Sequence, residues 1–492
     1  MNGPTDMPAR VALSLVSHTN VGKTTLARTL LRRDVGEVRD EAHVTESATR
    51  ELLIETPAGD RLELWDTPGF GDSVRLAKRL AQSGNPIGWF MSEVWDRFRD
   101  RAFWFDQRAL RNVLDEADVV LYLVNASEAP EDVAWLDAEL EVLALLGKPV
   151  LVLLNQLGAP KPAAEEAAEV RRWRTRIGPR GGAREVLAFD AFARCWVQEG
   201  SLLQRVADAL PAAQQAGFER LRAAWDERGR ATWRAAMQVL AERLARAALD
   251  REPVPEAGWA GRLKDLGAAL GLRKDGASTA REHAMRALAE RLDADIRVST
   301  DRLIRLHGLG GRATDVVLTR LAEHYAVHEP FDEGKAAVWG GVVTGALAGL
   351  KADVLSGGMT LGGGLLAGGV LGALGALGLA KGFNLVRGID APSLAWTDAV
   401  LTELARSSLL GYLAVAHYGR GRGDWAASEH PDFWHDSVAG VMAQHGEGLQ
   451  AIWERRTEVD PAAHAAQLQA WLEETSRVLL GQLYPQAGDV LG

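Results

Sequence analysis

The stretch Ser17–Thr25, SHTNVGKTT, joins an apolar run, RVALSLVS (Arg10–Ser17), to a segment whose Leu26, Leu30 and Leu31 recur at helical spacing. Strand, loop and helix follow in that order. The loop approaches the phosphate-binding pattern G-x-x-x-x-G-K-[ST], with Ser17 standing where the first glycine is usual. Gly22 lets the backbone come close to an anion, Lys23 reaches the β and γ phosphates, and Thr24 offers a hydroxyl to Mg²⁺. Asn20, Val21 and Thr25 complete the segment that wraps the phosphates, and the helix N-terminus adds a field that favours negative charge.

A second element at the expected distance makes coincidence a poor explanation of this loop. Arg61–Asp66 (RLELWD) alternates as a strand and runs into Asp66-Thr67-Pro68-Gly69. A carboxylate at that strand end can hold the water shell of Mg²⁺, and the Gly69 amide can sense a γ-phosphate. VVLYLVN (Val119–Asn125) and VLVLLN (Val150–Asn155) read as buried parallel strands with a helix between them, and a last strand lies near Glu185–Phe189. The expected fold class is α/β, a doubly wound, mostly parallel sheet of a P-loop domain, followed by a large all-α region.

From Arg10 to about Leu210 the sequence resembles a translation-factor-class G domain of the Era and TrmE branch. The resemblance implies GTP and GDP as ligands, GTP hydrolysis as the activity, Mg²⁺ as cofactor and a bacterial source. Glu46-Ser47-Ala48-Thr49-Arg50 resembles that branch's first switch, which makes Thr49 the candidate switch ligand of Mg²⁺, with Thr45 the alternative. Asn20 matches the loop asparagine with which relatives of TrmE coordinate K⁺. The other reading of Asn20 is a residue that hydrogen-bonds its own loop. Phe70 occupies the place of the water-orienting glutamine of Ras-like enzymes, so an apolar side chain there needs compensation elsewhere.

The base-reading segment departs from this pattern. Asn155-Gln156-Leu157-Gly158 stands where the family has Asn-Lys-x-Asp. Asn155 and Gln156 remain candidate nucleotide-site residues, but Gly158 cannot supply the carboxylate that accepts two hydrogen bonds from guanine. Glu165 or Asp190 are the acceptors that loop rearrangement would bring in, and shape-only reading with weak selectivity is the alternative. Ala191 is carried over from the family's last base-contacting loop through its backbone amide.

Composition narrows the rest. At 492 residues and 53.2 kDa the chain is too long for one ordinary core, and a 47% hydrophobic, 25% charged composition is that of a globular protein. A net charge of −10 gives no general attraction to phosphate backbones, so nucleic acid is not the default partner. The single cysteine, Cys195, excludes an intramolecular disulfide and suits a reducing compartment. MNGPTDMPAR has neither the basic segment nor the apolar core of a secretory signal, so the expected location is cytoplasmic, with the periphery of the inner membrane as the alternative.

The expected organisation is a G domain over 1–210 with an aromatic insertion at about 76–112, a helical domain over 211–330, a glycine-rich apolar hairpin over 331–390, and a helical segment over 391–492. The insertion carries Trp89, Phe90, Trp95, Phe98, Phe103, Trp104 and Phe105 among arginines. It reads as a helix packed on the core, or as a nucleotide-sensitive partner or dimer surface. Residues 340–382 contain fifteen glycines and almost no charge. Small residues at intervals of three and four are the packing device of membrane helices, so 336–382 reads either as a membrane-seeking hairpin or as a close-packed buried one. His430 and His435 lack further ligands at supporting spacing and read as surface or capping residues.

Three functions compete: a GTP-hydrolysing switch coupled to the hairpin, a membrane-recruited scaffold with slow turnover, and an RNA- or ribosome-associated GTPase. The third rests on the resemblance alone, since the sequence has no KH, RNP or basic-tail signature.

Overall fold

The computed structural model describes residues 8–32, 48–82, 84–92, 100–158, 161–178, 180–191, 195–253, 277–309, 383–387, 392–418 and 432–491. Thr45, Trp95, Phe98, His430 and the glycine-rich stretch 336–382 lie outside them. The chain divides into two compact units, one of Met1–Ala231, Ala416–Pro431 and Leu480–Gly492, the other of Thr232–Val415 and Asp432–Leu479.

In the first unit the elements run β1 (Arg10–Ser17), α1 (Lys23–Leu31), β2 (Thr49–Glu55), β3 (Arg61–Asp66), α2 (Ser73–Leu80), α3 (Pro86–Ser92), α4 (Arg101–Asp115), β4 (Val119–Asn125), α5 (Leu136–Leu146), β5 (Val150–Asn155), α6 (Ala163–Ile177), β6 (Ala183–Ala188), α7 (Trp196–Ala209) and α8 (Ala212–Leu249). Strand order is β2-β3-β1-β4-β5-β6, with β2 antiparallel to β3 and every other pair parallel. This is the doubly wound sheet expected from the apolar runs. Both faces are covered, which is why β4 has no polar alternation: Val119, Leu121 and Leu123 join one core, Val120, Tyr122 and Val124 the other. The first core adds Leu26 of α1, Leu203 and Val206 of α7, and Phe218 and Trp225 of α8.

α3 and α4, in the aromatic insertion, contribute to the second core. Phe90 of α3 and Phe103 of α4 are fully buried there beside Leu76, Leu80 and Phe70. Ser14 Oγ donates to Asn112 Oδ1 at 2.8 Å, tying α4 to β1. On the other face α8 is fastened by Gln214 to Asp118 at 2.8 Å and by Arg220, whose Nε donates to Asp60 Oδ2 at 2.8 Å. Cys195, just before α7, is buried, and burial pushes its thiol up to about 12, so it stays a neutral core side chain.

The second unit is mainly helical: the part of α8 from Thr232 onward, α9 (Ala277–Leu306), α10 (Asp398–Ala416), α11 (Asp432–Gln444), α12 (Gly446–Glu454) and α13 (Pro461–Leu483). It also holds a three-stranded antiparallel sheet that the all-α expectation missed, of order β7-β9-β8, from β7 (Arg251–Pro253), β8 (Phe383–Arg387) and β9 (Pro392–Trp396). The sequence pattern predicts helix from Ser393 onward, whereas Ser393–Trp396 is strand. Among the described residues one helix, α10, is long and apolar enough to cross a membrane, and 72% of its most apolar window is buried within the protein. Its apolar faces are used in packing.

Candidate nucleotide site

Gly22, with φ 98°, turns the chain from the loop into α1, and no side chain caps that helix among the described residues. Its first amides are therefore left without a side-chain cap, and an uncapped helix N-terminus after such a loop is an arrangement that binds anions. A Cβ on Gly22 would stand 2.7 Å from Asn155 Nδ2, so glycine is required by approach as well as by φ. Asn20, also left-handed at φ 63°, lies exposed on the loop. Val21 and Thr25 are buried.

Lys23 is buried, and its Nζ donates to Ser17 Oγ at 2.9 Å. Ser17, the departure from the usual glycine, thus gives the lysine a partner within the loop. Burial lowers the Lys23 ammonium to about 8, against the opposing pull of Asp66 and Glu139. Such a poorly solvated cation gains most from an arriving polyanion.

Thr24 Oγ1 donates to Asp66 Oδ2 at 2.6 Å, which brings two of the expected Mg²⁺ residues together. Asp66 Oδ1 is buried without a hydrogen-bond partner among the described residues. Burial raises the Asp66 carboxyl, while the Thr24 hydroxyl and the Lys23 charge lower it. An orphaned carboxylate oxygen beside a hydroxyl is a donor set of hard oxygens, which fits Mg²⁺. Thr49, the first residue of β2, stands directly across the ladder from Asp66 and is exposed.

The segment after Asp66 is pinned to the loop. Thr67 Oγ1 donates to Leu15 O at 2.6 Å, and the Phe70 amide donates to Ser17 O at 2.9 Å. A Cβ on Gly69 would lie 3.0 Å from both Lys23 Nζ and Thr19 Cα. Gly69 is therefore seated against the phosphate loop, and Phe70 points into the second core, fully buried.

At the base-reading end Asn155 is buried and links three segments. Its Nδ2 donates to Val21 O at 2.7 Å, and its Oδ1 accepts the Ala191 amide at 2.8 Å. That amide, the group expected to face a base, is engaged inside the protein. Gln156 has φ 59° and Gly158 φ 83°, with open space where a Gly158 side chain would stand. Asp190 is buried and its Oδ2 accepts the Leu157 amide at 2.8 Å, whereas Glu165 is exposed in the first turn of α6.

One group escaped the sequence reading. His18 Nδ1 lies 2.8 Å from Glu139 Oε1, and Tyr122 donates to Glu139 Oε2 at 2.7 Å. The imidazole stacks on Trp135 at 4.6 Å and 8°. Glu139 is fully buried, so this network anchors the phosphate loop to α5. The acid stands 121 residues from His18 along the chain, and no local pattern announces the contact.

Residues 12–156 match the family model described as 50S ribosome-binding GTPase, so the first unit carries a P-loop GTPase domain. Residues 182–477, more than half the chain, match the domain of unknown function DUF3482. The protein belongs to the DUF3482 family. Among solved structures, Era with MgGDPNP and nucleotides 1506–1542 of 16S ribosomal RNA is 20% identical, TM-score 0.32, over 42% of this chain and 58% of that one. A point variant of Aquifex aeolicus Era bound to GDP·AlF4⁻ is 21% identical, TM-score 0.30, over 41% and 57%. The Arl6 BBS3 small GTPase from Trypanosoma brucei is 16% identical, TM-score 0.20, over 37% and 86%. The chain spans less than two thirds of the Era chains it matches. No curated protein sequence matches it.

Proposed function

We propose that this protein is a Mg²⁺-dependent GTP-binding and GTP-hydrolysing switch of the Era and TrmE type. The observation that carries the reading is the convergence of buried Lys23, the Thr24–Asp66 pair and Gly69 on one loop. The Lys23 ammonium and the amides at the start of α1 bind the β and γ phosphates. Thr24, Asp66 and Thr49 are the residues that hold Mg²⁺, which neutralises phosphate charge when bound. The Gly69 amide donates to the γ-phosphate and couples its presence to the chain that follows. Asn20 is the residue for K⁺, a cation that would offset charge developing between the β and γ phosphates.

Base selectivity is the finer part of the reading. Gly158 provides no carboxylate, so discrimination falls to the Asn155–Gln156–Leu157 backbone and to Asp190 behind it. A titration of purified protein with GTP and with ATP, with phosphate release followed in parallel, tests this. GTP is expected to bind tighter and to be hydrolysed, and Lys23→Ala is expected to bind neither nucleotide tightly. Preference for ATP, or unchanged affinity in Lys23→Ala, contradicts the reading.

Coupling to a membrane belongs to the same proposal and rests on the glycine-rich stretch 336–382 alone. A cytoplasmic protein that visits the inner membrane would float with liposomes in one nucleotide state and not the other. Absence of lipid binding in both states leaves a GTPase with a buried hairpin. A homodimer through the aromatic insertion is the remaining partner reading, and sedimentation with each nucleotide tests it.

A further inference from the structure

The Phe70 side chain carries no polar group to orient water, so on the reading above the main chain at Gly69 is what this segment offers to the γ-phosphate. That main chain is held from two sides. On one, the Phe70 amide binds Ser17 O at 2.9 Å and Gly69 abuts Thr19. On the other stands Asp106, in the middle of α4 and fully buried. Its Oδ1 accepts the Gly71 amide at 2.7 Å, and the neighbouring Asp72 amide adds a field that favours the charged carboxyl. Its Oδ2 has no partner among the described residues. Gly71 meanwhile lies so near α4 that a Cβ there would stand 2.8 Å from Ala102 Cα.

A carboxyl in an apolar core costs stability unless it is put to use, since a leucine or phenylalanine would fill the same space without desolvating an acid. The neighbours of Asp106 in α4 show what the core otherwise selects: Phe103, Phe105, Ala109 and Leu110 are all fully buried. What the acid gains is a hold on the Gly71 amide, one residue beyond Phe70. Asp72 is itself fixed in turn, since its Oδ1 caps α2 by accepting the Arg75 amide at 3.1 Å. The chain from Gly69 to Asp72 is therefore clamped between the phosphate loop and α4.

We propose that Asp106 is a positioning residue for hydrolysis, its buried carboxyl holding the Gly71 amide so that the Gly69 amide is presented to the γ-phosphate. The role rests on the reading of this protein as a GTP hydrolase. It assigns to α4 the compensation that the apolar Phe70 requires. α4 is then the wall against which residues 69–72 are held, with Asp106 as its polar contact. Burial, with Glu139 and Asp72 nearby, pushes the carboxyl up to about 8, against the pull of the two amides. The acid therefore meets the Gly71 amide mainly in its neutral form at neutral pH, and asparagine is its closest neutral analogue.

The test compares Asp106→Ala, Asp106→Asn and Asp106→Glu with wild type by single-turnover phosphate release at saturating GTP, by GDP titration, and by thermal unfolding. Asp106→Asn, which keeps an acceptor at Oδ1, is expected to hydrolyse within about threefold of wild type. Asp106→Ala removes the acceptor and is expected to slow turnover at least tenfold with GDP affinity changed less than about threefold. Asp106→Glu displaces the acceptor by one methylene and is expected to slow turnover as well, so a role survives testing even if the alanine variant does not fold. Wild-type rates in Asp106→Ala or Asp106→Glu overturn the proposal, as does an asparagine variant as slow as the others. Wild-type protein that binds GTP but never turns it over overturns the hydrolysis reading itself, an outcome visible before any variant is made.

Discussion

Gly69→Ala is the perturbation whose magnitude the structure fixes best. The added methyl would lie 3.0 Å from Thr19 Cα, 3.1 Å from Thr19 N and 3.0 Å from Lys23 Nζ. Lys23 Nζ ends a flexible side chain and can give way. Thr19 is backbone of the phosphate loop, and carbon atoms in contact prefer roughly 3.5 to 4.0 Å, so the residue 69 chain must retreat by about half an ångström or more. An amide that would otherwise sit at hydrogen-bond distance from a γ-phosphate oxygen then falls outside it. Hydrogen bonds to charged groups are worth about 1.5–3 kcal/mol, and about 1.4 kcal/mol is a tenfold change in rate, so turnover should fall between about 10- and 100-fold. GDP lacks the γ-phosphate, so its affinity should change by no more than about threefold. Single-turnover phosphate release and a GDP titration measure the two quantities. An unchanged rate, or a loss of GDP affinity as large as the loss of rate, would refute the assignment of Gly69 as the γ-phosphate sensor.

Other expectations follow from the same geometry. If Asn20 holds a monovalent cation, hydrolysis runs faster in KCl than in NaCl at equal ionic strength and Asn20→Ala abolishes the difference; equal rates in the two salts return Asn20 to loop support. Asn155→Ala leaves the buried Val21 carbonyl and Ala191 amide without their partner, and each such loss costs about 1–3 kcal/mol. The melting temperature should fall and GTP and GDP should weaken together, so a variant that loses only GTP contradicts the structural role of Asn155. Asp106 links stability to pH. Its folded-state value is raised from 3.8 to about 8, so between those values the folded state holds a proton that the unfolded chain has released. Its contribution to stability is therefore present at low pH and falls as pH rises, by roughly 1 kcal/mol per pH unit for one proton. Asp106→Asn should gain thermal stability relative to wild type from pH 6 to pH 8, and a constant difference across that range counts against a protonated Asp106.

Much of the first unit is legible in the sequence because its signals are local. The runs Arg10–Ser17, Arg61–Asp66, Val119–Asn125 and Val150–Asn155 are strands with those bounds, since a sheet covered on both faces demands uninterrupted apolar residues. Thr24 and Asp66, named from motifs 42 residues apart, are hydrogen-bonded, and Lys23 is near enough for its charge to act on Asp66. The long-range contacts beside the phosphate loop are not legible. Asp106 reaches Gly71 across 35 residues and His18 reaches Glu139 across 121, and both acids sit in helices whose local sequence reads as ordinary amphipathic pattern. The small sheet was missed for a related reason. Its strands are three to five residues long, and Arg251 pairs with Ala395 far along the chain. FNLVR and PSLAW, separated by GIDA, carry a hairpin signal that the glycine-rich stretch before them obscures.

The strands that bear Thr49 and Asp66 are joined by the Thr56–Asp60 turn, and that turn is one of the points where α8 meets the sheet within the first unit. Asp60 is fully buried and accepts the Ala9 amide at 2.8 Å, the Thr56 hydroxyl at 2.8 Å and the Arg220 fork. The Arg220 guanidinium, with those amide and hydroxyl donors, holds the Asp60 carboxyl well below the usual carboxylate range, so it stays ionised under any physiological condition. Arg228, further along α8, donates to Leu53 O of β2 at 3.3 Å. β2 and β3 cannot slip past each other by one residue without turning their buried side chains to the opposite face. A displacement of Thr49 and Asp66 along the sheet must therefore carry the pair of strands together, and it must break or drag the Asp60–Arg220 contact. The buried carboxylate would be left without its cation in the first case, a costly outcome. Within the first unit, the strands that carry Thr49 and Asp66 are thus tied through Asp60 and Leu53 to Arg220 and Arg228 of α8.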